Sequence, residues 1–438
     1  MNALKNLGLL LLLVLCLGAW VVMPWPGAAG LAIVLGLWLL LTRRGRQAGS
    51  VTGVGLSTLG ARLGSSAVVV IGIAGVVGVL VALLAMAEGY SETLRNSGSA
   101  DTAIVMRGAS ASEVTSVLDR NSVTLISQAP GVARTAKGEP IASPELVVAA
   151  NLPVKDGAPG DEGSVQLRGV GDSAWALRPH LKIVEGRRFT PGLRELIVGR
   201  GAARHFANLA PGREVRLGNQ VWTVAGVFAS GDAMESEVWA DANVVADTYR
   251  RGSSRASVTV QLADPKAFPA FKTALESDPQ LKVDVSTTLD YFAKQSERMT
   301  TVIRIIGNTV GVIMAIGAMF GALNTMFAAV ASRAREIATL RAIGFHGLPV
   351  VVAVMLETML LALAGGVVGG AVAWLLFNGY SASTMAAGSV GQLNFQFHVT
   401  PGLFWTGLKW ALAIGFIGGL FPAVRAARLP VATALRES

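Results

Sequence analysis

The sequence has one cysteine, Cys16, and only 15% charged residues. Cys16 lies inside an apolar run, so any domain outside a membrane must fold without disulfide bonds. The four histidines are scattered, with none of the spacings that typify metal ligands. The phosphate-cradling G-x-x-x-x-G-K-[S/T] and the serine-presenting G-x-S-x-G are both absent. These absences predict a chain with no catalytic residues, no cofactor site and no metal site.

Apolar residues make up 52% of the chain and are concentrated in a few runs. A helix needs about 20 apolar residues to cross a bilayer. Residues 90–298, between the third and fourth runs, have ordinary soluble composition. The predicted fold class is an α-helical membrane protein of about six transmembrane helices, with a large mixed α/β domain inserted between the third and fourth. The predicted spans are 6–23, 26–42, 66–88, 302–330, 349–377 and 403–422.

The excess of positive charge predicts the orientation of these spans. If the N-terminus is cytoplasmic, the cytoplasmic pieces carry eleven basic residues and two acidic ones, which equals the whole net charge of +9. Both termini are therefore expected in the cytoplasm, with the large domain in the periplasm. The high pI is a signal of topology and not of nucleic-acid binding. A cleaved signal peptide over residues 1–20 is the alternative to an uncleaved first span, although no A-x-A site follows it.

Turn-forming residues and the periodicity of hydrophobic residues divide the chain further. "MPWPG" predicts a tight turn between the first two spans. In the soluble region the patterns predict strands such as "TAIVMR" (102–107), a helix at 111–119, a hairpin that turns at Gly218-Asn219, and a βαβ unit near 257–286. A helix from about 287 is expected to run directly into the fourth span. The predicted domains are a transmembrane hairpin (1–43), a cytoplasmic interfacial segment (44–65), transmembrane helix 3 (66–89), a periplasmic α/β domain with a β-rich insertion at about 145–240 (90–298) and a C-terminal membrane domain (299–438).

The spans contain glycines four residues apart. This spacing lets helix backbones approach closely in lipid. Packing within one chain and packing between subunits are both compatible with it. The candidate packing or dimer residues are Gly317, Gly321, Gly365, Gly366, Gly369 and Gly370.

Glu357 is the one acidic residue within an apolar span. Ionisable residues at such positions are costly and often functional. A structural hydrogen bond, a role in energy coupling and a proton relay are the three interpretations. The relay is the least favoured, because no histidine or lysine was identified as its partner.

Several stretches of the sequence resemble one family. The run from Ala315, "AIGAMFGALNTMFAAVASRAREIATLRAIGFHGLPVVVAVMLETMLLALAGGVVGG", is similar to the C-terminal membrane domain of FtsX-like ABC transporter permeases, as is the ending "GGLFPAVRAARLPVATALRES". "VVVIGIAGVVGVLVALLAMAEGYSETLRNSGS" and "VWTVAGVFASGDAMESEVWAD" resemble the MacB and LolC/LolE branch and its periplasmic core domain. The resemblance covers about residues 55–438.

The resemblance implies that residues 332–345 form a coupling helix that docks on an ATPase. Ala334, Ala338 and Ala342 would make a smooth face for a protein groove, with charged flanks. No ATP site is recognised in this sequence, so ATP and magnesium are expected on a separate ATPase subunit, as in LolCDE. The residues expected to couple to it are Arg333, Arg335, Glu336, Ala338, Arg341 and Gly344.

The resemblance also implies a permease subunit of the bacterial inner membrane. Its motion would serve efflux or the handling of lipoproteins or lipids by mechanotransmission, without catalysis by this chain. The alternative is an FtsX-like regulator that activates a periplasmic cell-wall hydrolase. The implied partners are a cytoplasmic ABC ATPase, a second permease copy or a sister permease, membrane lipid and a MacA-like periplasmic adaptor, with no nucleic acid.

The predicted topology can be tested by labelling single cysteines in whole cells. In a Cys16→Ser background, a cysteine at Ser332 should resist a membrane-impermeant thiol reagent, because that segment is expected in the cytoplasm. A cysteine at Ser253, in the large soluble region, should react and serves as the control. Reaction of the Ser332 cysteine in intact cells would contradict the orientation.

Overall fold

The computed structural model describes residue 16 and residues 18–57, 63–158, 160–385 and 392–428. Residues 18–22 are helical, and single 3₁₀ turns lie at Glu113–Thr115, Ala233–Ser236 and Pro265–Ala267. The longer helices are α1 (Trp25–Leu41), α2 (Arg43–Ser57), α3 (Leu63–Arg95), α4 (Arg120–Gln128), α5 (Ser173–Leu177), α6 (Arg200–His205), α7 (Ala242–Thr248), α8 (Phe268–Glu276), α9 (Thr288–Ser332), α10 (Ala334–Ala342), α11 (Gly347–Phe377) and α12 (Pro401–Arg428). The strands are β1 (Thr102–Arg107), β2 (Ala142–Pro153), β3 (Glu162–Val170), β4 (Lys182–Gly186), β5 (Glu195–Gly199), β6 (Glu214–Leu217), β7 (Gln220–Ala229), β8 (Val238–Asp241), β9 (Ser257–Gln261), β10 (Val283–Thr287), β11 (Ser381–Met385) and β12 (Gln392–Gln396).

The chain divides into two compact units. The first unit comprises Met1–Met86, Ile303–Asn378 and His398–Ser438, and its described residues are mainly helical. The second comprises Ala87–Val302 and Gly379–Phe397 and contains the strands. The long helix α9 contributes residues to both units without a break.

Four helices in the described part of the chain are long and apolar enough to cross a bilayer: α3 from Ser66, α9, α11 and α12. Helices α1 and α2 form one further candidate span, but they are bent by 98° relative to each other. The predicted span 6–23 lies mostly outside the described residues. The presence of membrane-spanning helices is therefore established, and the count of six stays a prediction.

The sharp bend between α1 and α2 is built by Thr42 and Gly45. The Thr42 hydroxyl donates to the Trp38 carbonyl and accepts a hydrogen bond from the Gly45 amide, each at 2.9 Å. The second bond caps the N-terminus of α2. A Cβ at Gly45 would overlap the Trp38 carbonyl oxygen, so this turn requires glycine.

The paired glycines of α11 pack on two neighbours at once. Cβ atoms placed at Gly365 and Gly369 would lie 2.9 and 2.4 Å from the backbone oxygens of Val70 and Ala74 in α3. On the adjacent face, a Cβ at Gly366 would lie 2.8 Å from the Ala411 Cβ in α12, and Gly370 lies against the Phe404 ring of the same helix. These four glycines therefore mediate close helix packing within the chain.

Gly317 and Gly321 behave differently. A methyl group at either position would meet no atom within 4 Å among the described residues. They share one face of α9 with Ile313, Ile316 and Phe320, which are all exposed large hydrophobic residues. This face of α9 is not covered by any described part of the chain.

The second unit is organised around one ten-stranded mixed sheet. Its order is β10-β1-β9-β2-β3-β8-β5-β7-β4, and β6 pairs with β7 beside this path. Two apolar cores lie along it. One includes Ala103, Val105, Ile126 and Phe271, and the other lies around Trp222.

Most predicted elements of this unit are confirmed. Strand β1 has the predicted bounds, and β9 and β10 both run antiparallel to β1, so β9–α8–β10 is a βαβ unit. The hairpin β6–β7 turns at Gly218 (φ +55°) and Asn219 (φ +62°), as expected for a two-residue turn. The prediction of a helix at 111–119 is wrong. This stretch contains only a 3₁₀ turn at Glu113–Thr115, and α4 begins after Asp119. The Asp119 carboxylate caps α4 by accepting a hydrogen bond from the Ser122 amide.

A cluster of charged side chains lies inside the second unit. The buried Arg168 guanidinium contacts the carboxylates of Glu113 at 2.9 Å, Glu145 at 2.7 Å and Glu237 at 2.7 Å, and Arg178 contacts Glu145 at 2.6 Å. Burial raises the pKa of Glu237. Burial also opposes ionisation of Glu145, but the charges of Arg178 and Arg168 outweigh it and lower the pKa of that carboxyl group. These contacts join the turn after β1 to β2, β3 and the approach to β8.

The connection between α11 and α12 adds a hairpin to the same unit. Strands β11 and β12 pair antiparallel. The Asn394 amide donates to the Ser236 hydroxyl at 2.8 Å, and the Tyr90 and Phe395 rings pack edge to face with centroids 5.5 Å apart. Residues 379–397 were included in the predicted membrane domain, but they group with the sheet.

The two classes of glycine suggest a matched pair of substitutions. Gly366→Leu should destabilise the chain, because even a Cβ there would lie within 3 Å of Ala411. Overpacking of this kind costs about 1–3 kcal/mol. Gly321→Leu should leave the chain's own stability unchanged, because its Cβ meets open space. Thermal unfolding of the purified monomer in detergent, followed by tryptophan fluorescence, compares them. Equal melting temperatures for the two variants would contradict this assignment.

Candidate coupling site

The charged segment between α9 and α11 forms a short helix with defined ends. Arg333 interrupts the helical path after Ser332, and α10 follows from Ala334 to Ala342. Gly344, at φ +104°, ends α10. The Gly344 amide donates to the Arg341 carbonyl and the Phe345 amide to the Leu340 carbonyl, which is the Schellman pattern. Glycine is favoured at this position because few other residues adopt a positive φ.

Arg333 joins three helices at this site. One of its terminal nitrogens, Nη1, donates to the Glu357 Oε2 in α11 at 2.8 Å. The other, Nη2, donates to the Gly55 carbonyl in α2, also at 2.8 Å. The Arg333 and Glu357 side chains are only 11% and 6% exposed. The planar guanidinium thus holds a carboxylate and a backbone carbonyl in one fixed geometry.

Gly55 lies close to both members of the ion pair. A Cβ at Gly55 would lie 3.0 Å from the Glu357 Oε2 and 3.3 Å from the Arg333 Nη1. A larger residue would press on the ion pair, and the Glu357 and Arg333 side chains would have to shift to admit it. Gly55 was not among the predicted site residues, and the sequence offers no local signal for it, because its partners are far away in the chain.

The structure clarifies the position of Glu357. The partner of this acid is Arg333, which lies in the segment between α9 and α11 and not in another span. Arg333 is therefore directed into the helical unit and is not available on the surface as predicted. The pairing explains how an ionised carboxylate can be kept in an apolar helix, because its charge is compensated by a hydrogen-bonded cation.

The expected alanine face of the coupling segment is not exposed. Ala338 is 1% exposed and lies with Ile337 on the side of α10 that packs on the chain's own helices. The reason is that Ile337 needs burial and draws its neighbour Ala338 to the same side. Ala334 is half-buried, and only Ala342 is exposed.

The outward side of α10 has a different composition. Arg335, Glu336 and Thr339 are exposed, and Ile343 at the end of the helix is 70% exposed. Arg341 is half-buried and Gly344 is exposed. Sequence reasoning missed Ile343, although an isoleucine directly before the terminating glycine of a charged helix was a usable signal. The surface comprising Arg335, Glu336, Thr339 and Ile343 is termed the outer face of α10 below.

The Arg333–Glu357 pair predicts strong non-additivity. Arg333→Met or Glu357→Met alone should destabilise the helical unit by about 3–5 kcal/mol, because each leaves a buried charge without its partner. The double variant should lie much closer to the wild type, since two apolar side chains need no compensation. Thermal unfolding of the four proteins in the same detergent measures the coupling. Additive losses would show that the two side chains do not depend on each other.

Two family models match the chain. Residues 66–278 match the MacB-like periplasmic core domain, and residues 308–431 match the FtsX-like permease C-terminal domain. The macrolide export ATP-binding/permease protein MacB of Photorhabdus laumondii is 27% identical over 52% of this chain, which is 35% of its own length. The uncharacterized ABC transporter permease YknZ of Bacillus subtilis is 27% identical over 63% of this chain and 71% of its own. The chain thus spans about a third of the MacB relative.

Solved structures match part of the chain. The extracellular domain of YknZ from Gram-positive bacteria matches 42% of this chain at 17% identity, with a TM-score of 0.33. The periplasmic region of MacB from Actinobacillus actinomycetemcomitans matches 45% at 16% identity, also with a TM-score of 0.33. The two family models together cover the third span, most of the sheet unit and most of the last three spans. The chain therefore belongs to the FtsX-like ABC transporter permeases that carry a MacB-like periplasmic core domain.

Proposed function

We propose that this chain is the permease subunit of an inner-membrane efflux transporter that works by mechanotransmission. A separate cytoplasmic ATPase, which holds ATP and magnesium, would move the coupling segment, and the periplasmic sheet unit would respond. The observation that carries the proposal is the unbroken helix α9, which runs from strand β10 to the coupling segment. The names of the MacB relatives, which denote macrolide export, support efflux as the outcome.

The length of α9 suits this role. Its 45 residues correspond to about 68 Å at 1.5 Å per residue. The hydrocarbon core of a bilayer is about 30 Å thick. More than half of the helix therefore has no need to lie in lipid. Since β10 ends at Thr287 and α9 begins at Thr288, no flexible linker would absorb a displacement of the helix.

The outer face of α10 is the proposed contact with the ATPase. Ile343 supplies an exposed apolar anchor, and Arg335 and Glu336 supply charges of both signs. A central apolar residue with a polar surround is the usual composition of an energetic hot spot. Arg333, Ala338 and Gly344 would act behind this face by fixing the position of α10, and Arg341 would contribute from its edge.

The uncovered face of α9 is the proposed contact with a second permease copy or a sister permease. Gly317 and Gly321 would let the partner helix approach, and the exposed isoleucines beside them would pack against it. The basic residues of the connecting segments support an orientation with both termini in the cytoplasm. It would place α10 on the side of the ATPase.

The coupling proposal predicts a graded effect at Ile343. Ile343→Asp should weaken binding of the ATPase by about 2 kcal/mol or more, roughly 30-fold, because it places a charge in an apolar contact. Glu336→Ala should also weaken binding, and Ile343→Leu should preserve it. The measurements are the affinity of the purified ATPase for the permease in nanodiscs and its rate of ATP hydrolysis in the complex.

The control is Leu193→Asp, an exposed apolar position in the second unit that is remote in sequence from α10. It should leave the affinity for the ATPase unchanged. If Ile343→Asp and Glu336→Ala both bind the ATPase normally and hydrolyse ATP at the wild-type rate, α10 does not serve as the coupling helix.

A further inference from the structure

Lys409 is a buried cation within the last membrane helix. It lies eight residues after Pro401, where α12 begins, and is 9% exposed. A charged side chain at such a position is energetically costly unless a polar group compensates the charge. Such residues commonly mark functional sites. Glu357 was the predicted intramembrane charge, and Lys409 was not among the predicted site residues.

Lys409 is joined to the N-terminal region by two reciprocal hydrogen bonds. Its Nζ donates to the backbone carbonyl of Val21. The Trp20 indole Nε1 donates in return to the backbone carbonyl of Lys409 at 2.9 Å. The residues concerned are 388 and 389 positions apart in the chain. The lysine side chain makes one bond and the lysine backbone accepts the other. The contact therefore fixes the position of α12 against Trp20 and also provides a polar partner for the lysine charge.

The acceptor for Lys409 arises from a break in the N-terminal helix. Residues 18–22 are helical, and α1 starts after Pro24. The last carbonyls of a helix have no partner within it, and they carry the negative end of the helix dipole. Pro24 adds to this effect, because proline has no backbone N–H to continue the helical hydrogen bonds. A lysine ammonium at Val21 therefore satisfies both the unpaired carbonyl and the dipole.

The same N-terminal segment is held a second time at its other end. Helix α1 continues from the Pro24 break to the bend at Thr42, and α2 then carries Gly55 to the Arg333 guanidinium. The segment from Trp20 to Gly55 thus has one attachment at Lys409 and another at the base of α10. Both attachments are polar contacts to parts of the chain that lie hundreds of residues away.

We propose that Lys409 is a positioning residue that fixes the segment from Trp20 to Gly55 on the permease core, and that this segment in turn holds α2 against Arg333 beneath the coupling helix. The segment is then a brace for α10 and not a separate anchor. The functional part of this inference rests on the proposed coupling function. The structural part, the attachment of the segment through Lys409, does not.

The attachment can be tested on the full chain with spin labels. In a Cys16→Ser background, single cysteines at Trp25 and at Val54, which are 68% and 53% exposed, carry the label. Trp25 reports on the break beside Lys409, and Val54 reports on α2. Lys409→Met should make both labels more mobile in detergent, because the Val21 carbonyl loses its donor. Lys409→Arg should leave both close to the wild type, because the guanidinium keeps the charge and the donors.

A matched control and a second variant guard against misfolding. Thr406→Val removes a hydroxyl that bonds the Gly402 carbonyl within α12, and it should change neither label. Trp20→Phe keeps an aromatic ring but removes the indole donor, and it should loosen the Trp25 label without disturbing α12. If Lys409→Met fails to fold, Trp20→Phe still tests the contact from its other side.

The functional consequence is measured on the complex with the ATPase. Lys409→Met should lower coupled ATP hydrolysis roughly threefold, the factor that matches the mean strength of an interhelical hydrogen bond in a membrane. Lys409→Arg should restore it. Unchanged mobility at Trp25 in both Lys409→Met and Trp20→Phe would overturn the attachment. Increased mobility at Trp25 with unchanged Val54 mobility and unchanged hydrolysis would overturn the brace. The labels are read without ATPase, so a failure of the coupling proposal at Ile343 would leave the attachment test intact.

Discussion

The helical unit depends on one constraint: the Arg333 guanidinium and the Glu357 carboxylate are both withdrawn from water at the end of an apolar helix. Neither charge is tolerable there alone, because transfer of an unpaired ion into an apolar medium costs several kcal/mol. The pair therefore fixes where α9 must stop and how closely α11 must follow. It also positions α2, since the Gly55 carbonyl accepts a hydrogen bond from the same guanidinium and the absence of a side chain there leaves room for the ion pair. The position of the charged helix α10 follows from this arrangement.

Glycine sets the second constraint, and it operates on α11. Helix α11 lies close to two neighbours at once. Gly365 and Gly369 on one face meet α3, and Gly366 and Gly370 on the next face meet α12. Lipid provides no hydrophobic force that would press helices together, so close van der Waals contact has to supply the attraction. The contrast with α9 is informative. Its Gly317 and Gly321 have the same spacing but no neighbour among the described residues, so spacing alone does not identify a contact.

What could be predicted from the sequence depends on how far apart in the chain the interacting residues lie. Periodicity and turn residues are local signals, and they predicted strand β1, the turn at Gly218 and the continuation of α9 from Thr288. The helix expected at 111–119 failed because Ser112 and Asp119 both act as local caps, which split one apparent helix into a 3₁₀ turn and a later helix. The contacts of the candidate site join residues that are far apart in the sequence. Arg333 meets Gly55 across 278 residues and Glu357 across 24, and no window of sequence contains them together.

Burial also decided which residues of the coupling segment reach the surface. Three alanines at helical spacing suggested a smooth outer face, but the single isoleucine at 337 outweighed them, because its side chain gains more from burial than alanine does. Rotating α10 to bury Ile337 turns Arg335 and Glu336 outward and leaves Ile343 uncovered. The Ile343 side chain is 70% exposed, so it gains little from burial within the described chain. A partner surface that covers Ile343 would supply that stabilisation, which is why this side chain, more than the charges around it, defines where the ATPase is expected to bind.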